Sequence, residues 1–122
     1  MLRAVSLPKP EADLIASGKL AVFTRPWRTP YRGKLAIHVP DDEAYGDQRR
    51  CIVAIADLDD VREVEARGGL TSLLVATEPE IGRWLYVLGN VEPVDPPVPC
   101  TGRGSGAWRV PVDIADRVDP PF

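Results

Sequence analysis

Apolar residues fall along the chain in short bursts, broken by polar stretches rich in proline and glycine. That is the pattern of many short strands joined by turns. Residues 2–6 (LRAVS) read as a first strand. In the segment that follows, LPKPEADLIASGK, Pro10 suits the first turn of a helix, and Glu11 and Asp13 suit its positive end. Ala12, Ile15 and Ala16 recur at helical spacing and Gly18 is a natural stop, which predicts a helix over 10–17. LAVFT (20–24) and KLAIHV (34–39) are β-rich, with a turn at 30–33 between them. PDDEAYGDQRR is polar and predicts a loop or a frayed helical turn.

CIVAIADL (51–58) is nearly all apolar, as a central strand buried on both faces should be. DDVREVEARGG either extends that strand or forms a short helix ended by Gly68 and Gly69. RWLYVLGNVEPV (83–94) predicts a long strand, DPPVPC a proline-stiffened connection, and TGRGSG a glycine loop. AWRVPV (107–112) alternates Trp108, Val110 and Val112 as a last strand, and DIADRVDPPF either wraps the body or frays. Six strands and one early helix, with no internal repeat, predict a mostly β (α+β) fold with one or two short helices. The expected shape is a small mixed or antiparallel barrel forming one domain over 1–122.

Composition sharpens this picture in three places. Thirteen prolines in 122 residues, about twice the usual share, disfavour a helix bundle. No run approaches the ~18 apolar residues of a membrane span, and the opening MLRAVSLPKP has one early Arg with no long apolar run, so a signal peptide is not expected. Cys51 and Cys100 are far apart and not in a metal spacing, which predicts reduced thiols in a cytoplasmic protein. A lone histidine, His38, excludes sites built from several.

Charge is unevenly spread. The net is −3, yet residues 1–50 carry nine Lys and Arg against six Asp and Glu, whereas 51–122 carry six against twelve. Between 19 and 34 there are five cations (Lys19, Arg25, Arg28, Arg32, Lys34) and no acid. Screening at physiological salt acts over about 8 Å, so such a patch binds anions despite an acidic far side.

The candidate chemistry concentrates in that stretch. Arg25, Arg28 and Arg32 are candidate phosphate clamps, since a guanidinium presents paired donors to a phosphate. The alternative is a solvated basic face, or pairing with acids of the second half. Lys9 and Lys19 would extend the patch. Trp27 and Tyr31 offer rings for base stacking, worth ~1–3 kcal/mol per base; the alternatives are packing against the barrel and capping a turn. His38 has no acid or Cys near it in sequence and reads as a hydrogen-bonded structural residue. The glycine loop is a weak phosphate-binding candidate because no helix follows it. Trp84 and Trp108 read as core. Asp57, Asp59 and Asp60 read as solvated acids at a strand end, so neither metal nor cofactor is expected.

AVSLPKPEADLIASGKLAVFTRPWRTPYRGKLAIHV resembles the opening of ASCH domains, a family of the PUA-like superfamily, in which WRTPYRG is a specific string. CIVAIADLDDV and WLYVLGNVEPVDPPVPCTGRGSGAWRVP resemble later family segments, so the likeness spans roughly residues 3–112. It implies a PUA-like barrel with a nucleic-acid-facing cleft and a role on RNA or a modified nucleoside. The departures are specific. Members resembling N4-acetylcytidine amidohydrolases carry a catalytic Lys and a Thr where this chain has Leu20 and Phe23. Lys19 and Thr24 lie one place away, on the opposite strand face unless a slip or bulge intervenes. The family's early QPW is KPE here, at Lys9, Pro10 and Glu11.

The preferred reading is a monomeric module that binds RNA, other single-stranded nucleic acid or a nucleotide, without amidohydrolase activity and without a membrane partner. A small hydrolase of a modified nucleoside or RNA, using Lys19, Thr24, Glu78 or Glu80, is the second. A protein-interaction or small-ligand barrel is the third. Polar groups on the floor of the cleft would favour the enzyme; Leu20 and Phe23 there would favour binding alone.

Overall fold

A computed structural model describes residues 2–64, 83–102 and 106–119. Strands β1 (Arg3–Ser6), β2 (Val22–Arg25), β3 (Gly33–His38), β4 (Cys51–Glu63), β5 (Trp84–Pro99) and β6 (Trp108–Arg109) form one mixed sheet. Its order is β2-β5-β4-β3-β1-β6. β1 and β3 are parallel, and the other pairs are antiparallel. Helix α1 (Lys9–Ala16) follows β1, a kinked 3-10 segment (Glu43–Gln48) precedes β4, and α2 (Val112–Val118) follows β6. The expected mostly β, α+β architecture is what the chain adopts. Among the described residues no helix is long and apolar enough to cross a membrane.

The sheet is buried on both faces. Val5, Leu35, Ile37, Val53 and Ala56 pack with Ala12 and Ile15 of α1. Their neighbours Ala4, Ala36, Ile52 and Ile55 pack with Trp108, Val110 and Val118 on the other side. Alternation along each strand therefore feeds two cores, which is why CIVAIADL shows no polar face. Helix α1 ends where the sequence signals it: Gly18 takes φ +80°, its N–H donates to the Ile15 carbonyl (3.0 Å), and the Lys19 N–H donates to that of Leu14 (2.9 Å). This left-handed cap favours glycine and turns the chain directly into β2.

Three elements differ from expectation. DDVRE extends β4 to Glu63, one of the two outcomes left open. DPPVP is not a connection but the end of β5, which stops one residue before Cys100. The register explains why prolines fit there: Ala54 faces Pro93 and Ile52 faces Val98, so β5 bulges between 93 and 98, where residues lacking an N–H need not join the ladder. The last strand is only Trp108–Arg109, because Pro111 starts α2 instead. Val112, expected inward, is consequently 68% exposed. Cys51 and Cys100 are buried and form no disulfide.

Candidate functional site

The basic segment leaves β2 at Arg25, loops through the turn and re-enters the sheet at β3. Its base is an aromatic stack. Phe23 lies on Tyr86 with ring centres 4.8 Å apart, and Trp27 meets Tyr86 edge-on at 5.3 Å. The Tyr86 hydroxyl donates to the Trp27 carbonyl (2.8 Å). Burial pushes the Tyr86 phenol up to about 12, so it remains a donor at any ordinary pH. Trp27 is thus half-buried and anchors the turn with one edge. Leu20 and Phe23 are each 3% exposed, inside the core. β2 pairs with β5 in unbroken register from Val22–Val87 to Arg25–Trp84. No bulge on β2 moves Thr24 onto the face of Phe23. Lys19 is exposed and Thr24 is half-buried.

Arg25 is bound into the scaffold. Its guanidinium lies 5.3 Å over the Phe23 ring, donates to the carbonyls of Thr24 (2.7 Å) and Ser6 (3.3 Å), and pairs with Glu11 at 3.6 Å. Arg83 also donates to the Thr24 carbonyl (3.2 Å). Burial raises the Glu11 carboxyl against the pull of Arg25 and Arg83. Burial also lowers Arg25, which Glu11 opposes. The Glu11 carboxylate is thus paired with one guanidinium and lies in the field of a second. Sequence reading did not single out Glu11 or Arg83 as site residues. The KPE departure marks position 11, but Arg83 is brought in only by the β2–β5 register.

Arg28 and Arg32 behave differently. Both are exposed. Arg28 sits 5.5 Å over the half-buried Trp84 ring. Arg32 donates to the carbonyls of Thr29 (3.0 Å) and Tyr31 (2.8 Å). Neither is in an ion pair among the described residues. Asp60 lies within the field of Arg32, but its carboxylate is held by Arg62. Lys9 pairs with Asp13 at 2.7 Å on α1, and Lys34 with Asp119 at 3.5 Å.

Tyr31 folds back over the turn, its hydroxyl donating to the Lys34 carbonyl, with Arg3 5.7 Å from its ring. It lines a cleft of about 650 Å³ between the turn and α2, together with Arg32, Lys34, Arg109, Asp116 and Asp119. The fold thus brings Tyr31 and Arg32 to this cleft, while Lys9, Lys19, Arg25, Trp27 and Arg28 do not line it. Glu78, Glu80 and the middle of the glycine loop lie outside the described residues. Among the acids of 57–60, Asp57 accepts from the Asn90 amide (2.8 Å) and Asp60 pairs with Arg62 at 2.5 Å.

No protein-family profile matches the chain, and no curated protein matches it. Solved structures do. The ASCH protein of Zymomonas mobilis aligns with TM-score 0.56 and 14% identity over 99% of this chain and 80% of that one. A variant of it with one serine replaced by alanine aligns with TM-score 0.63 and 13% identity, over 95% and 92%. A variant with one tyrosine replaced by phenylalanine gives 0.56 and 14%, over 99% and 83%. Likeness across nearly the whole of both chains, at this identity, is a statement about fold: this chain has an ASCH-type fold.

Proposed function

We propose that this protein is an ASCH-type module that binds single-stranded nucleic acid or a nucleotide and does not hydrolyse N4-acetylcytidine. The carrying observation is that Arg28 and Arg32 are exposed, held by a ring and by backbone carbonyls, and in no ion pair among the described residues. Guanidinium groups fixed in this way lose little freedom when a phosphate arrives. Tyr31 supplies a ring in the lining of the adjoining cleft. Leu20 and Phe23 support the absence of amidohydrolase chemistry, since buried hydrocarbon neither moves a proton nor attacks a carbonyl.

Fluorescence anisotropy with labelled single strands of RNA and DNA at low salt, run beside an assay for cytidine release from N4-acetylcytidine, tests both halves. Binding of a strand with no release is expected. An absence of binding to either strand at low salt would return the protein-interaction reading. Multiple turnover that disappears in Lys19→Ala or Thr24→Ala would make the protein an amidohydrolase.

A further inference from the structure

Ser6 and His38 end the one parallel strand pair of the sheet and are partners in its register. Beyond them the chains part, Ser6 toward α1 and His38 toward Pro40 and the 3-10 segment. A crevice opens where parallel strands end and their continuations diverge. Here it holds about 360 Å³ and is lined by Ser6, His38, Asp41, Arg50, Thr101 and Gly102.

His38 is 1% exposed, and both of its nitrogens are engaged. Nε2 lies 2.6 Å from the Cys100 carbonyl and Nδ1 lies 2.8 Å from the Ser6 hydroxyl. A carbonyl only accepts, so Nε2 carries the hydrogen and Nδ1 presents its lone pair. The Ser6 hydroxyl therefore donates to Nδ1. This is the arrangement of an activated serine: nucleophile on base, base fixed in tautomer by a third group. Trp108 meets the imidazole edge-on at 5.2 Å and braces the ring. Burial lowers the pKa of His38, which keeps it neutral at physiological pH.

Two backbone features belong to the same crevice. Gly102 lies so close that a Cβ there would stand 2.9 Å from the imidazole Cε1 and 3.5 Å from the Ser6 oxygen. Arg50 has φ +59°, a costly conformation for a side-chain-bearing residue. Its N–H donates to Val39 (2.8 Å) and its carbonyl accepts from Cys100 (2.7 Å), so the strain is imposed from both sides. The result is a cation on the crevice wall, at whose edge Asp41 is 3.7 Å away.

We propose that Ser6 and His38 are a nucleophilic pair acting on esters of small acyl groups, with Arg50 as the cation that meets the charge developing on the carbonyl oxygen. The Ser6 oxygen bonds to the carbonyl carbon while its proton passes to Nδ1 of His38. The ester C–O bond breaks, and the alcohol leaves with that proton. Water then adds its hydroxyl to the acyl carbon, with its proton returned through His38 to Ser6, releasing the carboxylic acid. The orienting group is a neutral carbonyl rather than a carboxylate, so the pair is a weaker catalyst than a full triad.

The test is labelling of the whole chain with a fluorophosphonate, which phosphonylates activated serines, followed by intact mass and peptide mapping. One adduct at Ser6 is expected, absent in Ser6→Ala, with release of p-nitrophenol from p-nitrophenyl acetate lost in step. Arg50→Gln, altered on a half-exposed side chain, should slow labelling at least tenfold. Gly102→Ala, whose methyl presses on the imidazole, should do the same. Circular dichroism establishes that each variant is folded. No adduct on the wild-type protein, an adduct on another residue, or labelling of folded Arg50→Gln and Gly102→Ala at the wild-type rate would each overturn the proposal.

Discussion

At the scale of single residues the same side chain type does opposite work according to what the fold places beside it. Arg25, Arg28 and Arg32 are indistinguishable in the sequence. Arg25 meets Glu11 and the Ser6 carbonyl, both delivered from more than a dozen residues away, and is absorbed. Arg28 and Arg32 meet only local carbonyls and a ring, and stay outside. That division depends on non-local pairing, so no local pattern announces it. His38 was more legible, because an isolated histidine closing an apolar strand has few options but a buried hydrogen bond. Its lowered pKa gives a prediction with a definite sign. The unfolded chain takes up a proton near pH 6.5 that the folded protein resists. His38 therefore contributes full stability above about pH 6.5 and loses it as pH falls toward the folded value, at no more than ~1.4 kcal/mol per pH unit. Urea denaturation of wild type at pH 7.5, 6.0 and 5.0 should show this decline, and His38→Gln should flatten it. Glu11, whose pKa is raised, works in the opposite direction: its stabilisation is complete below its unfolded value of about 4.5 and fades as pH rises through the folded one. An equal decline in His38→Gln would mean that other groups carry it.

At the scale of elements, α1 shows which contacts hold the site in place. Its inner face, Ala12 and Ile15, is fully buried against the sheet, and its outer face carries the Lys9–Asp13 pair. Ile15→Ala should cost about 2–5 kcal/mol, as large-to-small core changes do. Lys9→Ala should cost no more than about 0.5 kcal/mol, the range of an i,i+4 pair on a helix. Chemical denaturation of the two variants checks this, and similar losses in both would mean that α1 is held by charge rather than by packing. The helix was readable because Pro10, the 12–15–16 spacing and Gly18 all agree. Prolines misled at the other end of the chain. Pro96 and Pro97 argued for a connection, yet a strand accommodates them by bulging out of register with β4. Pro111 had the reverse effect, ending an alternating apolar pattern that otherwise read as strand through Val112. One proline was taken for a break and the other was not; what decides each case is which hydrogen bond the residue forfeits.

At the scale of the whole molecule, an acidic protein carries a cationic turn against one edge of its sheet. The fold class was readable because strand lengths and turn residues agreed along the chain. The division of the basic segment into a buried and an exposed part was not, since it is set by the order of strands in the sheet. The net charge of −3 opposes polyanion binding, so the proposed binding would rest on the local patch and should fall steeply with salt. The most direct test of the account is the salt dependence of binding to a short single strand, measured by fluorescence anisotropy for wild type, Arg28→Ala, Arg32→Ala and Arg25→Ala, with thermal melts alongside. Arg28→Ala and Arg32→Ala should melt with wild type, bind more weakly, and each flatten the plot of log K against log salt by about 0.7. Arg25→Ala should melt at a lower temperature and, while folded, keep the wild-type slope. A slope unchanged in Arg28→Ala and Arg32→Ala, or one lost only in Arg25→Ala, would contradict the assignment of the exposed arginines as the binding face.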